Sequence, residues 1–278
     1  MKLMDIHCEP FTRVEYRTPG EERRWSEKLR RCTRIAGDVE LGLVKAGHRE
    51  ASTLLLRRDE IERRRETLAE ERLLFTAIRW VKKFKGFAHR HDLAGEEDPS
   101  AVCYGVVTRT HAAAERFVAA SLPRHPDHDA IGALLGYPPC CREFFSDAWA
   151  RGFIDPIWQQ AFNTGGEIVS RPDGGHELRV EGYPECVAHQ RYWGARIGFH
   201  LPCSFVCQKT RALAHLWLEV AESLDPGISA DMMEAVSLES VWDAHRGVAL
   251  VNTPYYKGTT GSVPCADVHT VYFSPLTA

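Results

Sequence analysis

Cys140 and Cys141 stand side by side after Pro138 and Pro139 in "GYPPCCREFF", and Cys203 and Cys207 form a Cys-x-x-x-Cys pair in "LPCSFVCQKT". Thiolate is the metal-binding form of cysteine, and four thiolates held together repel unless a cation or cluster neutralises them. The two prolines predict a helix over residues 138–152 with both thiols in its opening turn. "PCSFVCQKT" is expected to open a second helix, with Cys203 and Cys207 one turn apart on one face. Free N–H groups and the positive dipole end at such helix starts favour the thiolate. The chemistry these positions suggest is a metal or cluster held where two helices meet.

Four sulfurs suit either zinc or an iron–sulfur cluster. Cys-x-x-x-Cys falls within the spacing of zinc knuckles. An adjacent pair does not, because neighbouring side chains diverge and reach one small ion only with strain. A cubane has irons at separate corners and takes two adjacent thiolates more readily. The spacing therefore favours an iron–sulfur cluster, 4Fe–4S, at Cys140, Cys141, Cys203 and Cys207. Zinc or a mononuclear iron with mixed Cys/His ligands is the alternative, and a metal-free set of packed or redox-active thiols is the third reading. An adjacent Cys-Cys followed by a later close pair resembles the cluster sites of sulfonucleotide reductases and of epoxyqueuosine reductases. That resemblance covers the four cysteines alone. The later pair is spaced by three residues rather than two, and no "SGG" nucleotide loop is present. It implies cluster ligation and no substrate. The stretch "IGALLGYPPCCREFF" is also similar to an uncharacterised prokaryotic family with a Gly-Tyr-Pro-x-Cys-Cys segment, over about residues 110–210, which supplies no activity.

Other groups could take part. Cys186 and His189 lie three apart in "GYPECVAHQRYWG", and His200 precedes Cys203 by three. Cys186, His189 and His200 are the candidates for moving protons or meeting substrate, against a plainer reading as buried thiol and half-buried histidines. Cys265 in "GSVPCAD" joins the site if the C-terminal segment folds over it, whereas Cys8, Cys32 and Cys103 have no motif and read as structural. "HRHD" at 89–92 and the set His125, Asp127, His128 and Asp129 suit an oxygen/nitrogen metal site or, more plainly, solvated loops. "KGTTGS" at 257–262 is a phosphate cradle or a strand-end turn, and Tyr255, Tyr256 and Lys257 make a possible substrate-facing strip. No "GxSxG", Walker loop or "GxGxxG" occurs.

These groups need elements to hold them. "GYPPC" at 136–140 returns as "GYPEC" at 182–186, and proline fixes the direction in which each following side chain is presented. Residues 1–95 read as a mainly helical region. It contains a short helix or two from a Ser26 cap and one strong charged helix over residues 57–84. Residues 96–278 read as a cysteine-rich core. It holds a strand at 101–110, helices at 111–122, 128–136 and 207–224, a hairpin closed by "PDGG", and late strands at 247–258 and 268–274. The fold class is α+β, helix-rich, with a small, mostly antiparallel sheet.

Composition bounds the rest. With 44% hydrophobic residues, 26% charged residues and a net charge of −3, the 278-residue chain has an ample core and no global basic field for nucleic acid. The Arg-rich stretch 57–72 reads as a solvated face interleaved with carboxylates before it reads as an RNA contact. No apolar run reaches membrane-spanning length, and "MKLMDIHCEP" is not a signal peptide, so a cytoplasmic location with reduced or metal-bound cysteines is expected. The functional expectation is a metalloenzyme acting on a small polar or nucleotide-like substrate, with an electron donor as a further partner. The alternatives are a zinc-stabilised module contacting RNA or protein, and a thiol redox sensor in which Cys140 and Cys141 switch.

Overall fold

Thr18 accepts a hydrogen bond from the Glu21 N–H at 3.1 Å, Pro19 occupies the first helical position, and Glu21 and Glu22 sit in the first turn. Together these start one 28-residue helix, α1 (Pro19–Ala46), which stops at Gly47 with φ of 83°. Ser26 therefore lies inside a helix instead of capping one. Trp25, Leu29, Cys32, Val39 and Leu43 recur at helical spacing and are buried on one side, while Leu41 and Val44 enter a second apolar cluster. α1 thus joins two cores.

The computed structural model describes residues 12–82, 92–122, 126–150, 155–187, 193–198, 200–261 and 268–276. Around α1 the chain runs β1 (Thr12–Tyr16), then β2 (Ala51–Leu56), α2 (Ile61–Glu70), β3 (Leu74–Lys82), β4 (Asp92–Leu93) and β5 (Ala101–Thr108). It continues through α3 (His111–Ser121), α4 (His128–Leu134), α5 (Pro139–Phe145), α6 (Pro156–Thr164), β6 (Ile168–Ser170) and β7 (His176–Gly182). The last elements are α7 (Gln208–Leu224), α8 (Ile228–Val236), β8 (Ser240–Asp243), β9 (Val248–Asn252), β10 (Tyr256–Gly261) and β11 (His269–Pro275).

The class is α+β, as expected, but the sheet is not small. Its order is β1-β10-β9-β8-β11-β7-β6, seven strands, antiparallel except for the parallel pair β11 and β7. A second, four-stranded antiparallel sheet runs β2-β5-β3-β4. The boundary expected near residue 95 falls within paired structure, since β1 pairs with β10, and β2 and β3 pair with β5. The long helix expected over 57–84 ends at Glu70. Arg72 takes φ of 60°, and "LFTAIRWVK" crosses into a strand, its aromatic and β-branched residues lying against β5. "KGTTG" is strand β10, bonded on both sides to β1 and β9, so its N–H groups form no phosphate cradle. Among the described residues no helix is long and apolar enough to cross a membrane.

Candidate metal centre

Gly136 enters the turn before Cys140 with φ of 74°, a conformation that L side chains disfavour. A Cβ there would lie 3.0 Å from Cβ of Arg49. Arg49 is 4% exposed, and its guanidinium pairs with Glu40 of α1, whose other carboxylate oxygen accepts from Trp217 Nε1 at 2.9 Å. The turn is therefore seated on a buried ion pair. Pro138 and Pro139 then start α5, whose second and third residues are Cys140 and Cys141.

The second pair is positioned differently from the sequence expectation. No helix spans Cys203 to Cys207: Cys203 lies in a turn, and Cys207 is the N-cap residue of α7. The backbone groups between them are committed elsewhere. The Phe205 N–H donates to Thr164 Oγ1 at 2.8 Å, and the Phe205 carbonyl accepts from the Tyr183 N–H at 2.8 Å. The Cys203 carbonyl accepts from Asn163 Nδ2 at 3.1 Å. Helix α6 and the "GYPEC" segment thus hold this loop open, and the helix starts only where the Arg211 N–H reaches the Cys207 carbonyl at 3.0 Å.

The two segments converge. Sγ of Cys140 is 4.0 Å from Sγ of Cys141 and 3.8 Å from that of Cys207, and Cys141 and Cys207 are 3.7 Å apart. The four sulfurs of Cys140, Cys141, Cys203 and Cys207 all lie within 4.8 Å of one another, in a group that could hold a metal ion. Cys141 and Cys207 are buried, and Cys140 and Cys203 are half-buried. The sulfurs share protons. Cys207 is held far below the usual thiol range because the Cys141 and Cys203 thiols donate toward it, with Thr210 adding to the effect. Cys141 is driven far above that range by Cys203 and Cys207 and by burial. Cys203, although drawn down by Cys141, is pushed up to about 12 by Cys207 and by burial. A cation here would replace that proton sharing by binding all four as thiolates.

Cys186 stands beside this group and not in it. Its thiol is fully buried and donates to the Cys207 carbonyl at 3.7 Å, while its own carbonyl accepts from Gln160 Nε2 at 3.0 Å. "GYPPC" supplies one of the four clustered thiols and "GYPEC" braces the opposite loop, so the recurrence marks two parts of one site. His200 Nε2 lies 2.9 Å from Thr210 Oγ1, which in turn lies 3.3 Å from Cys141 Sγ. Burial lowers the His200 imidazole to about 4. Thr210, Arg49 and Asn163 were not singled out from the sequence. Only Thr210 left a signal, being three residues after Cys207 in the first turn of the following helix. Asp127 caps α4, Asp129 pairs with Arg142 at 3.0 Å, and the His128 ring packs on Phe145 at 5.4 Å, so these residues have structural partners. His189, Cys265, Cys8, His125 and the histidines of "HRHD" lie outside the described residues.

Fold and site together define a mixed α and β protein with a four-cysteine group that could hold a metal ion. No protein-family model, curated protein or solved structure matches the chain.

Proposed function

We propose that Cys140, Cys141, Cys203 and Cys207 hold a single tetrahedral ion, zinc, which ties the loop before α7 to the start of α5. The observation that carries this reading is the spacing of the sulfurs. A zinc–sulfur bond of about 2.3 Å places tetrahedral thiolates about 3.8 Å apart, against 3.7, 3.8 and 4.0 Å for three of the pairs here. In a 4Fe–4S cubane each thiolate binds a separate iron outside an inorganic core, which spreads the sulfurs well beyond such contact. The objection to adjacent cysteines on one ion also weakens here. In the first turn of a helix consecutive side chains differ by about 100° around the axis, not by the half-turn of a strand.

Four protein ligands leave no open coordination position, so the ion's work is structural. A cavity of about 10 Å³, lined by residues including Glu185, Cys186, Arg196 and His200 but by none of the four cysteines, has room for about one water. The function that follows is a metal-stabilised scaffold, and partner binding falls to its surfaces. A single iron in the same cage is the second reading, supported by the half-buried Cys140 and Cys203, which would give electrons a short way in.

Elemental analysis of anaerobically purified protein tests this. The expected result is colourless protein with about one zinc per chain and no acid-labile sulfide. One iron without sulfide supports the second reading. Several irons with matching sulfide and brown absorption overturn the single-ion site and restore the cluster-dependent enzyme.

A further inference from the structure

The Thr210 hydroxyl is almost wholly buried and lies 3.3 Å from Cys141 Sγ and 2.9 Å from His200 Nε2, with the Cys207 thiol also beside it. A hydroxyl has one proton to donate. A metal-bound thiolate can only accept, so the Thr210 proton goes to the thiolates and not to His200, with Cys141 Sγ at 3.3 Å. The Thr210 oxygen must then accept, and His200 has to carry its hydrogen on Nε2. That leaves Nδ1 as a bare acceptor. Nδ1 is shut off from solvent and has no protein partner among the described residues. It lies 3.7 Å from the position a Cβ would take on Gly198, and Gly198 and His200 both line the water-sized cavity. The Tyr137 ring, from the turn that leads to Cys140, packs on the imidazole with centroids 5.2 Å apart and fixes its plane.

We propose that Thr210 is a positioning residue joining the metal centre to this cavity. It donates to the Cys141 thiolate, accepts from His200 Nε2–H, and leaves Nδ1 to accept a hydrogen bond from a water in the cavity. The relay rests on the single-ion reading of the four cysteines. It links the buried side of the metal centre, at Cys141, to the cavity. Outer hydrogen bonds of this kind set ligand basicity, and their loss typically costs 10–100-fold in metal affinity.

The test uses full-length protein loaded with cobalt(II), with Thr210→Val and Thr210→Ser beside the unaltered chain. Thr210→Val is expected to bind one cobalt, to lose it to a competing chelator at about tenfold lower chelator concentration, and to move the sulfur-to-cobalt charge-transfer band to lower energy. Thr210→Ser returns both properties to the unaltered values. Nitrogen-15 NMR of the unaltered, zinc-loaded protein is expected to show His200 protonated at Nε2. If Thr210→Val matches the unaltered protein in both cobalt readouts, or if the proton sits on Nδ1, the relay is wrong while the metal site stands. If the unaltered chain takes up neither zinc nor cobalt, the four-cysteine reading fails and the relay falls with it. The NMR result needs no variant, so it decides the matter even if Thr210→Val does not fold.

Discussion

Gly136→Ala is the perturbation that most cleanly separates the seating of the ligand turn from the ligands themselves. At φ of 74° an alanine meets the left-handed penalty, about 1–2 kcal/mol. Its Cβ would also stand 3.0 Å from Cβ of Arg49, an atom anchored to backbone that cannot swing aside. Overpacking of that kind adds roughly 1–3 kcal/mol. Gly174→Ala is the matched control: φ is 80°, and nothing lies within 4 Å of a Cβ there, so it carries the backbone penalty alone. Urea unfolding followed by circular dichroism should therefore show Gly136→Ala losing about 1–3 kcal/mol more than Gly174→Ala. Chelator competition should show weakened metal retention in Gly136→Ala only, because the shifted turn carries Cys140 and Cys141. Equal losses in both variants, with equal metal retention, would refute the claim that the Arg49–Glu40 pair seats the site.

Serine in place of Cys140, Cys141, Cys203 or Cys207 should abolish stoichiometric metal binding. Cys186→Ser, whose hydroxyl can still donate to the Cys207 carbonyl, should keep one ion per chain, and loss of metal in Cys186→Ser would place that residue among the ligands. Metal should protect the four thiols from alkylation, and chelation should expose Cys140 and Cys203 first because they are half-buried; peptide mapping that finds Cys141 or Cys207 modified first contradicts the burial order. Arg72→Gly should raise stability, by about 1 kcal/mol, because Arg72 holds φ of 60° at a helix end of the kind glycine prefers, with the Leu73 N–H bonded to the Leu68 carbonyl at 2.8 Å. A lower melting temperature for that variant would show that the arginine side chain makes up for its strain. His200 is lowered to about 4 from 6.5, so the unfolded chain binds more protons between those values. Its contribution is present above pH 6.5 and is lost as pH falls toward 4, on the order of 3 kcal/mol. His200→Gln should flatten that part of the stability–pH curve, and an unchanged curve would contradict the buried neutral imidazole.

Much of the site is legible in the chain because thiol pairs and prolines act locally. The four clustered cysteines follow from the doublet after two prolines and from the Cys-x-x-x-Cys spacing, and α5 starts where the prolines put it. What local reasoning misses is set by tertiary partners. Cys203 stays out of the helix because Thr164, Asn163 and Tyr183 claim the loop's backbone groups from distant parts of the chain. Residues 57–84 read as one helix because charge spacing dominates the first half. The second half becomes β3 by pairing with β5, a choice that β-propensity leaves to context. The seven-stranded sheet escaped for the same reason: β1, β6 and β8 have three to five residues each, too few to carry a periodicity of their own.

X-ray absorption on metal-replete protein reads the central claim directly, because it measures what surrounds the ion. The account predicts a zinc edge with a single shell of about four sulfurs at about 2.3 Å and no heavier scatterer beyond it. An iron edge with a second shell of neighbouring irons, or a zinc shell made up mainly of nitrogen and oxygen, would contradict it.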